Sequence, residues 1–164
     1  MEITGRIGYL DLITLPGAHI PEQLTFDSNQ VIGNIEYYKN LITEMGIDTV
    51  WINVGLWDGS DYYGPQTPLE EYAYNLDLIF QEFIGTGVRV VWCETSMTIF
   101  AWLNEYAFEA NVLADELAHE YGIPIFQMYY LQQKHGWELS DGIHFTPEAL
   151  ELIIAEIETF ILAL

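Results

Sequence analysis

Residues 48–58 read Asp-Thr-Val-Trp-Ile-Asn-Val-Gly-Leu-Trp-Asp, a nearly continuous apolar run that closes on a glycine turn. A strand with apolar side chains on both faces has to be covered on both, which is the mark of a parallel sheet held between helical layers. The flanks agree. Before the run, Ile35, Tyr38, Leu41, Ile42 and Met45 recur at helical spacing, and Gly46 supplies a stop. After it, Thr67-Pro68-Leu69-Glu70 has the form of a capping box with proline at the first helical position. Leu69, Tyr72, Ala73, Leu76, Ile79, Phe80 and Phe83 then share one helix face, which Gly85 and Gly87 end.

Further out the alternation continues. Residues 88–93 predict a second buried strand. A helix follows with Tyr106, Ala110, Leu113, Leu117 and Tyr121 inward, closed by Gly122 and Pro124. Residues 123–130 read as the last strand, and Thr146-Pro147 opens a final helix with Leu150, Ile153, Ile154, Ile157, Phe160 and Ile161 facing the core. Toward the start, residues 7–12 predict the first strand and residues 24–26 a short extended stretch. The expectation is one α/β domain over residues 1–164: a three-layer α/β/α sandwich on a flavodoxin-like parallel sheet of four or five strands. In such sheets ligands sit at the carboxyl ends of the strands.

The chain has 164 residues, enough for one packed core, and 51% of them are hydrophobic. Against 25 Asp and Glu stand 4 Lys and Arg, a formal net charge of −21. That field repels phosphate backbones and anionic lipids, so nucleic acid and membrane surfaces are disfavoured partners. No apolar stretch has the length of a membrane span, and the first residues lack the basic-then-apolar pattern of a signal peptide. A soluble chain is expected, cytoplasmic or a mature form; oligomeric state is open. Cys93, the sole cysteine, lies in an apolar strand and reads as a buried thiol. Asp58, Asp61 and Asp77 lack metal-ligand spacing and read as a solvated acidic face, and no glycine-rich phosphate loop is present, so neither metal nor cofactor is expected.

One motif carries chemistry. Asp141-Gly142-Ile143-His144 places a carboxylate three residues before an imidazole, on a tight turn that opens the last helix. The Asp can take a hydrogen bond from one ring nitrogen, leaving the other to accept a proton from a nucleophile. An isolated pair of this spacing more often caps a turn; the position after the last strand is what raises its weight.

With Phe145 and Thr146-Pro147-Glu148-Ala149 following, the motif and the order of elements resemble the SGNH/GDSL hydrolase superfamily, whose members are esterases, lipases, thioesterases and deacetylases on a flavodoxin-like sandwich. The resemblance implies Asp141 and His144 as catalytic acid and base. The run ending Gly55-Leu56-Trp57-Asp58 resembles the family's Gly-x-Asn-Asp block, with Gly55 and Asp58 matching and Trp57 in place of the oxyanion-binding Asn. Together with Tyr63-Gly64, Tyr74-Asn75-Leu76, Val91-Trp92 and Thr95-Ser96-Met97, it is similar to the PC-esterase branch, which also carries Leu-Trp-Asp here. The resemblance spans residues 24–164.

No Gly-Asp-Ser is present for the nucleophile. In one alignment residues 24–29 form the first block and Ser28 is the nucleophile. In another, residues 9–14 form it, Leu12 takes the serine position, and residues 26–33 become the second block with the Gly33 N–H facing the oxyanion. Ser60 and Ser96 are further hydroxyls. The implied substrate is a small ester or acylated carbohydrate, with Gly33, Gly55, Trp57 and Asp58 around the oxyanion and substrate. The aromatic cluster Trp57, Tyr62 and Tyr63 can stack on a sugar or an acyl chain, or pack over the sheet edge. A catalytically silent domain of the same fold, serving as a ligand- or protein-binding module, is the alternative.

Overall fold

The computed structural model describes residues 3–6, 12–15, 27–61 and 64–164. Along the chain the elements are β1 (Ile3–Arg6), β2 (Leu12–Leu15), α1 (Ser28–Gly33), α2 (Ile35–Met45), β3 (Thr49–Ile52), α3 (Leu69–Gly85), β4 (Arg89–Cys93), α4 (Ala101–Tyr121), β5 (Ile125–Phe126), α5 (Met128–His135) and α6 (Pro147–Ala163). Strands β3, β4 and β5 form a parallel sheet in that order, with Val50 opposite Val90 and Trp92 opposite Ile125. Successive side chains alternate between faces. Val50, Ile52, Val90, Trp92 and Ile125 turn toward one core with Tyr72, Leu76, Phe80, Tyr106 and Ala110 of α3 and α4. Trp51, Cys93 and Phe126 turn toward a second core with Met128, Trp137, Ile153 and Ile157. Helices therefore cover both faces, giving the three-layer α/β/α arrangement that the two-sided apolar strands predict.

Local signals hold where they are specific. Gly46 ends α2 in the left-handed conformation, φ 63°. Thr146 caps α6 by accepting from the Ala149 N–H at 3.2 Å, with Pro147 at the first position. At α3 the expected capping box does not form: Pro68 occupies the cap without a side-chain bond. Thr67 is buried instead, its hydroxyl accepting from the Asn29 amide at 3.4 Å and its N–H donating to the Asp58 carbonyl at 2.8 Å.

Among the described residues the parallel sheet has three strands. Two expectations change. Leu12 belongs to β2, which pairs antiparallel with β1; residues 7–11 and 24–26 lie outside the described residues. The strand expected over residues 123–130 is only two residues long, and Met128 begins α5. A short apolar run cannot separate strand from helix by periodicity. Here the Glu94 carboxylate supplies the difference, accepting the Tyr129 and Tyr130 N–H groups at 2.9 and 3.4 Å in the first turn of α5.

Candidate active site

The carboxyl ends of β3 and β4, the loops that follow them, and turn 141–144 build the site. Asp141 Oδ1 accepts the N–H groups of Ile143 (2.9 Å) and His144 (2.8 Å), while Oδ2 meets His144 Nδ1 at 2.5 Å. The backbone N–H of His144, its side chain and the N–H of Ile143 together hold the Asp141 carboxyl well below the usual carboxylate range. An ionised Asp141 thus fixes Nδ1 as the protonated nitrogen and leaves Nε2 the basic one. The His144 side chain is 21% exposed.

A short hairpin holds this turn. Ser140 N–H and Oγ both bond the His144 carbonyl, at 2.7 and 3.0 Å, and Leu139 bridges Phe145. Phe145 is buried edge-on against Trp137, which stacks on His135. Gly142 is required here: its φ is +94°, and a Cβ would lie 2.4 Å from Ile99 Cγ1. Ile99 N–H in turn donates to the Gly142 carbonyl at 3.0 Å, so the loop after β4 is sewn to turn 141–144.

That loop is pinned by side chains. Asn111 of α4 bonds both the N–H and the carbonyl of Thr95, at 2.8 and 2.9 Å. Gln132 of α5 accepts from Met97 N–H at 2.7 Å, and Asn104 accepts from Thr98 N–H at 3.1 Å. Ser96, half-buried, lies between two of these anchors. Glu94, at the root of the loop, is buried and its carboxyl is pushed up to about 7, by desolvation first and the Asp115 carboxylate second.

Gly55 is buried at φ +132°, and a Cβ there would lie 2.6 Å from Thr95 Oγ1, so the backbone approaches Thr95 more closely than a side chain would allow. Trp57 is half-buried in the same turn. Asp58 is fully buried and accepts from Ser28 three times: from its N–H at 3.0 and 3.1 Å and from Oγ at 2.5 Å. Asn75, in the middle of α3, donates to Ser28 Oγ at 3.0 Å and to Asn29 Oδ1 at 2.9 Å. Burial raises the Asp58 carboxyl, and the Ser28 hydroxyl is the largest influence opposing it.

The predicted residues therefore fall into two groups. Asp141 is joined to His144, and Ser28 to Asp58, with Gly55 and Trp57 on the same turn as Asp58. The hydrogen bonds of the Ser28 hydroxyl go to Asp58 and Asn75, and none of them to His144. Gly33 closes α1, where a helical N–H points back along its own helix to the carbonyl four residues earlier. Tyr62 and Tyr63 lie outside the described residues. Among the described residues, no three His, Cys, Asp or Glu side chains gather as a metal group, and no helix is long and apolar enough to cross a membrane. Asn111 and Gln132 were missed, and Asn75 entered only through the resemblance, with no role. Their signal was a polar residue at an inward helical position, between Tyr72 and Leu76 for Asn75.

Neither a protein-family model nor a curated protein sequence matches the chain. Solved structures do. A lipase/acylhydrolase from Enterococcus faecalis superposes with a TM-score of 0.67 at 18% identity, over 80% of this chain and 68% of that one. A GDSL-like lipase from Bacteroides thetaiotaomicron gives 0.66 at 18%, over 84% and 72%. A catalytic mutant of an acetylxylan esterase from Geobacillus stearothermophilus gives 0.66 at 12%, over 82% and 67%. The chain has the SGNH/GDSL hydrolase fold. Turn 141–144 lies between the sheet and the last helix.

Proposed function

We propose that this chain is a carboxylic ester hydrolase acting on a small acyl or O-acetyl ester, with His144 as general base and Asp141 as its orienting carboxylate. The observation that carries the reading is the Asp141/His144 pair: a short hydrogen bond, an ionised carboxylate and a braced turn beside the loop after β4. In the first step His144 Nε2 takes the proton of the attacking hydroxyl as its oxygen adds to the ester carbonyl. The same proton then passes to the departing alkoxide, and the imidazolium is stabilised in between by Asp141. Water next attacks the acyl ester so formed, His144 again moving the proton, which releases the acid and restores the hydroxyl. This is acid–base and nucleophilic chemistry and draws on no cofactor. The acetylxylan esterase among the similar structures supports an O-acetylated carbohydrate as the substrate class.

Ser28 receives a structural role in this proposal. A nucleophile must offer its oxygen to substrate and base together. The Ser28 oxygen is fully buried, donates to Asp58 and accepts from Asn75. The same observation, with Trp57 in the oxyanion block, favours the second reading of a catalytically silent binding domain. Hydrolysis of p-nitrophenyl acetate decides between them. Turnover by wild type and its loss in His144→Ala and Asp141→Ala are expected, while Ser28→Ala keeps activity below its melting temperature. A fluorophosphonate probe followed by peptide mapping identifies any nucleophilic serine. No turnover across short-chain esters, with no labelling, sinks the hydrolase reading.

A further inference from the structure

Ile99 and Phe100, which rest on Gly142 of the catalytic turn, lead within two residues to Trp102 in the first turn of α4. Trp102 opens a groove of about 530 Å³ whose lining includes Gln66, Pro68, Glu105, Tyr106 and Glu109. The opposite wall comes from the loop after β3. Gln66 donates to the Gly59 carbonyl at 3.1 Å, and Gly59 packs so closely on Tyr106 that a Cβ would lie 2.5 Å from its ring. The groove therefore lies between the end of the loop after β3, with the start of α3, and the first turns of α4.

Its chemistry is one-sided. Trp102, Glu105 and Glu109 follow one another at helical spacings of three and four, so they form one stripe. The indole is 50% exposed. Two carboxylates one turn apart repel each other, so helix stability does not account for the pair. Among the described residues no Lys, Arg or His lines the groove and two carboxylates do, a balance that disfavours an anionic ligand. The ligand that fits is neutral, with an apolar face for the indole and several hydroxyl donors for the carboxylates. A pyranose ring has both.

We infer that this groove binds a sugar ring on the alcohol side of the scissile ester, with Trp102 as the stacking platform and Glu105 and Glu109 accepting its hydroxyls. The inference rests on the hydrolase reading for the position of the ester, but sugar binding itself is measurable without any reaction. The probes are unacylated xylotetraose and cellotetraose, followed through the Trp102 indole N–H cross-peak in a proton–nitrogen NMR spectrum.

A saturable shift of that peak with at least one tetrasaccharide is expected. Trp102→Ala should weaken binding, read by calorimetry, by about tenfold. Glu105→Gln combined with Glu109→Gln should weaken it further, and Tyr74→Ala, an exposed aromatic on α3, should leave it intact. The inference is overturned if neither tetrasaccharide moves the peak, if choline moves it and the sugars do not, or if Trp102→Ala binds like wild type. Binding without turnover of p-nitrophenyl acetate would keep the groove and remove the hydrolase reading; turnover without binding would do the reverse.

Discussion

Replacing Ser28 with alanine separates a structural serine from a nucleophilic one. The substitution removes the 2.5 Å bond from Oγ to the buried Asp58 carboxylate and the 3.0 Å bond from Asn75. Two bonds from the Ser28 N–H to Asp58 remain, and Asn75 keeps Asn29 as an acceptor. A hydrogen bond to a charged group contributes about 1.5–3 kcal/mol and a neutral one about 1 kcal/mol, so a loss of about 3 kcal/mol is expected. For a chain of this size that lowers the melting temperature by about 6–12 °C.

The loss also has a pH signature. Burial already raises the Asp58 carboxyl in the folded state, and removing its hydroxyl donor raises it further. The penalty is thus largest with Asp58 ionised and shrinks as pH falls through its folded value. Thermal melts by circular dichroism at several pH values, alongside p-nitrophenyl acetate turnover at a temperature where both proteins are folded, make the measurement. A Ser28→Ala protein that melts with wild type but has lost more than about a thousandfold in turnover would refute the structural role and make Ser28 the nucleophile.

Other expectations follow from the same structure. Gly142→Ala forces a side chain into a left-handed position and against Ile99, so it should cost about 3 kcal/mol and lower kcat by displacing His144; a wild-type melt would contradict this. Glu94 titrates from its ordinary 4.5 up to about 7 on folding, so its protonated form stabilises the fold and that contribution disappears as pH rises between those values. Glu94→Gln keeps an acceptor for the α5 N–H groups and should flatten the fall, raising stability at pH 8 by about 2 kcal/mol after allowance for solvent screening, as read by urea titration. A net charge of −21 should make stability rise with salt, seen as a higher melting temperature at about 1 M than at about 0.05 M NaCl; a flat response would argue against surface self-repulsion.

Amino-acid order alone determined the α/β class, because two-sided apolar strands such as residues 48–54 have no stable home outside a covered parallel sheet. It also determined most helix ends, where Gly46 and Thr146-Pro147 act through their own backbone, and the Asp141/His144 pair, whose partners are three residues apart. Tertiary structure decided the rest, since the remaining partners are distant in sequence. Ser28 meets Asp58 thirty residues on and Asn75 forty-seven residues on, and no local pattern distinguishes a serine spent on a buried carboxylate from one aimed at a histidine. Residues 123–130 carry the same lesson. Their apolar run is compatible with strand or helix, and the carboxylate that favours the helix comes from Glu94, at the end of a different strand.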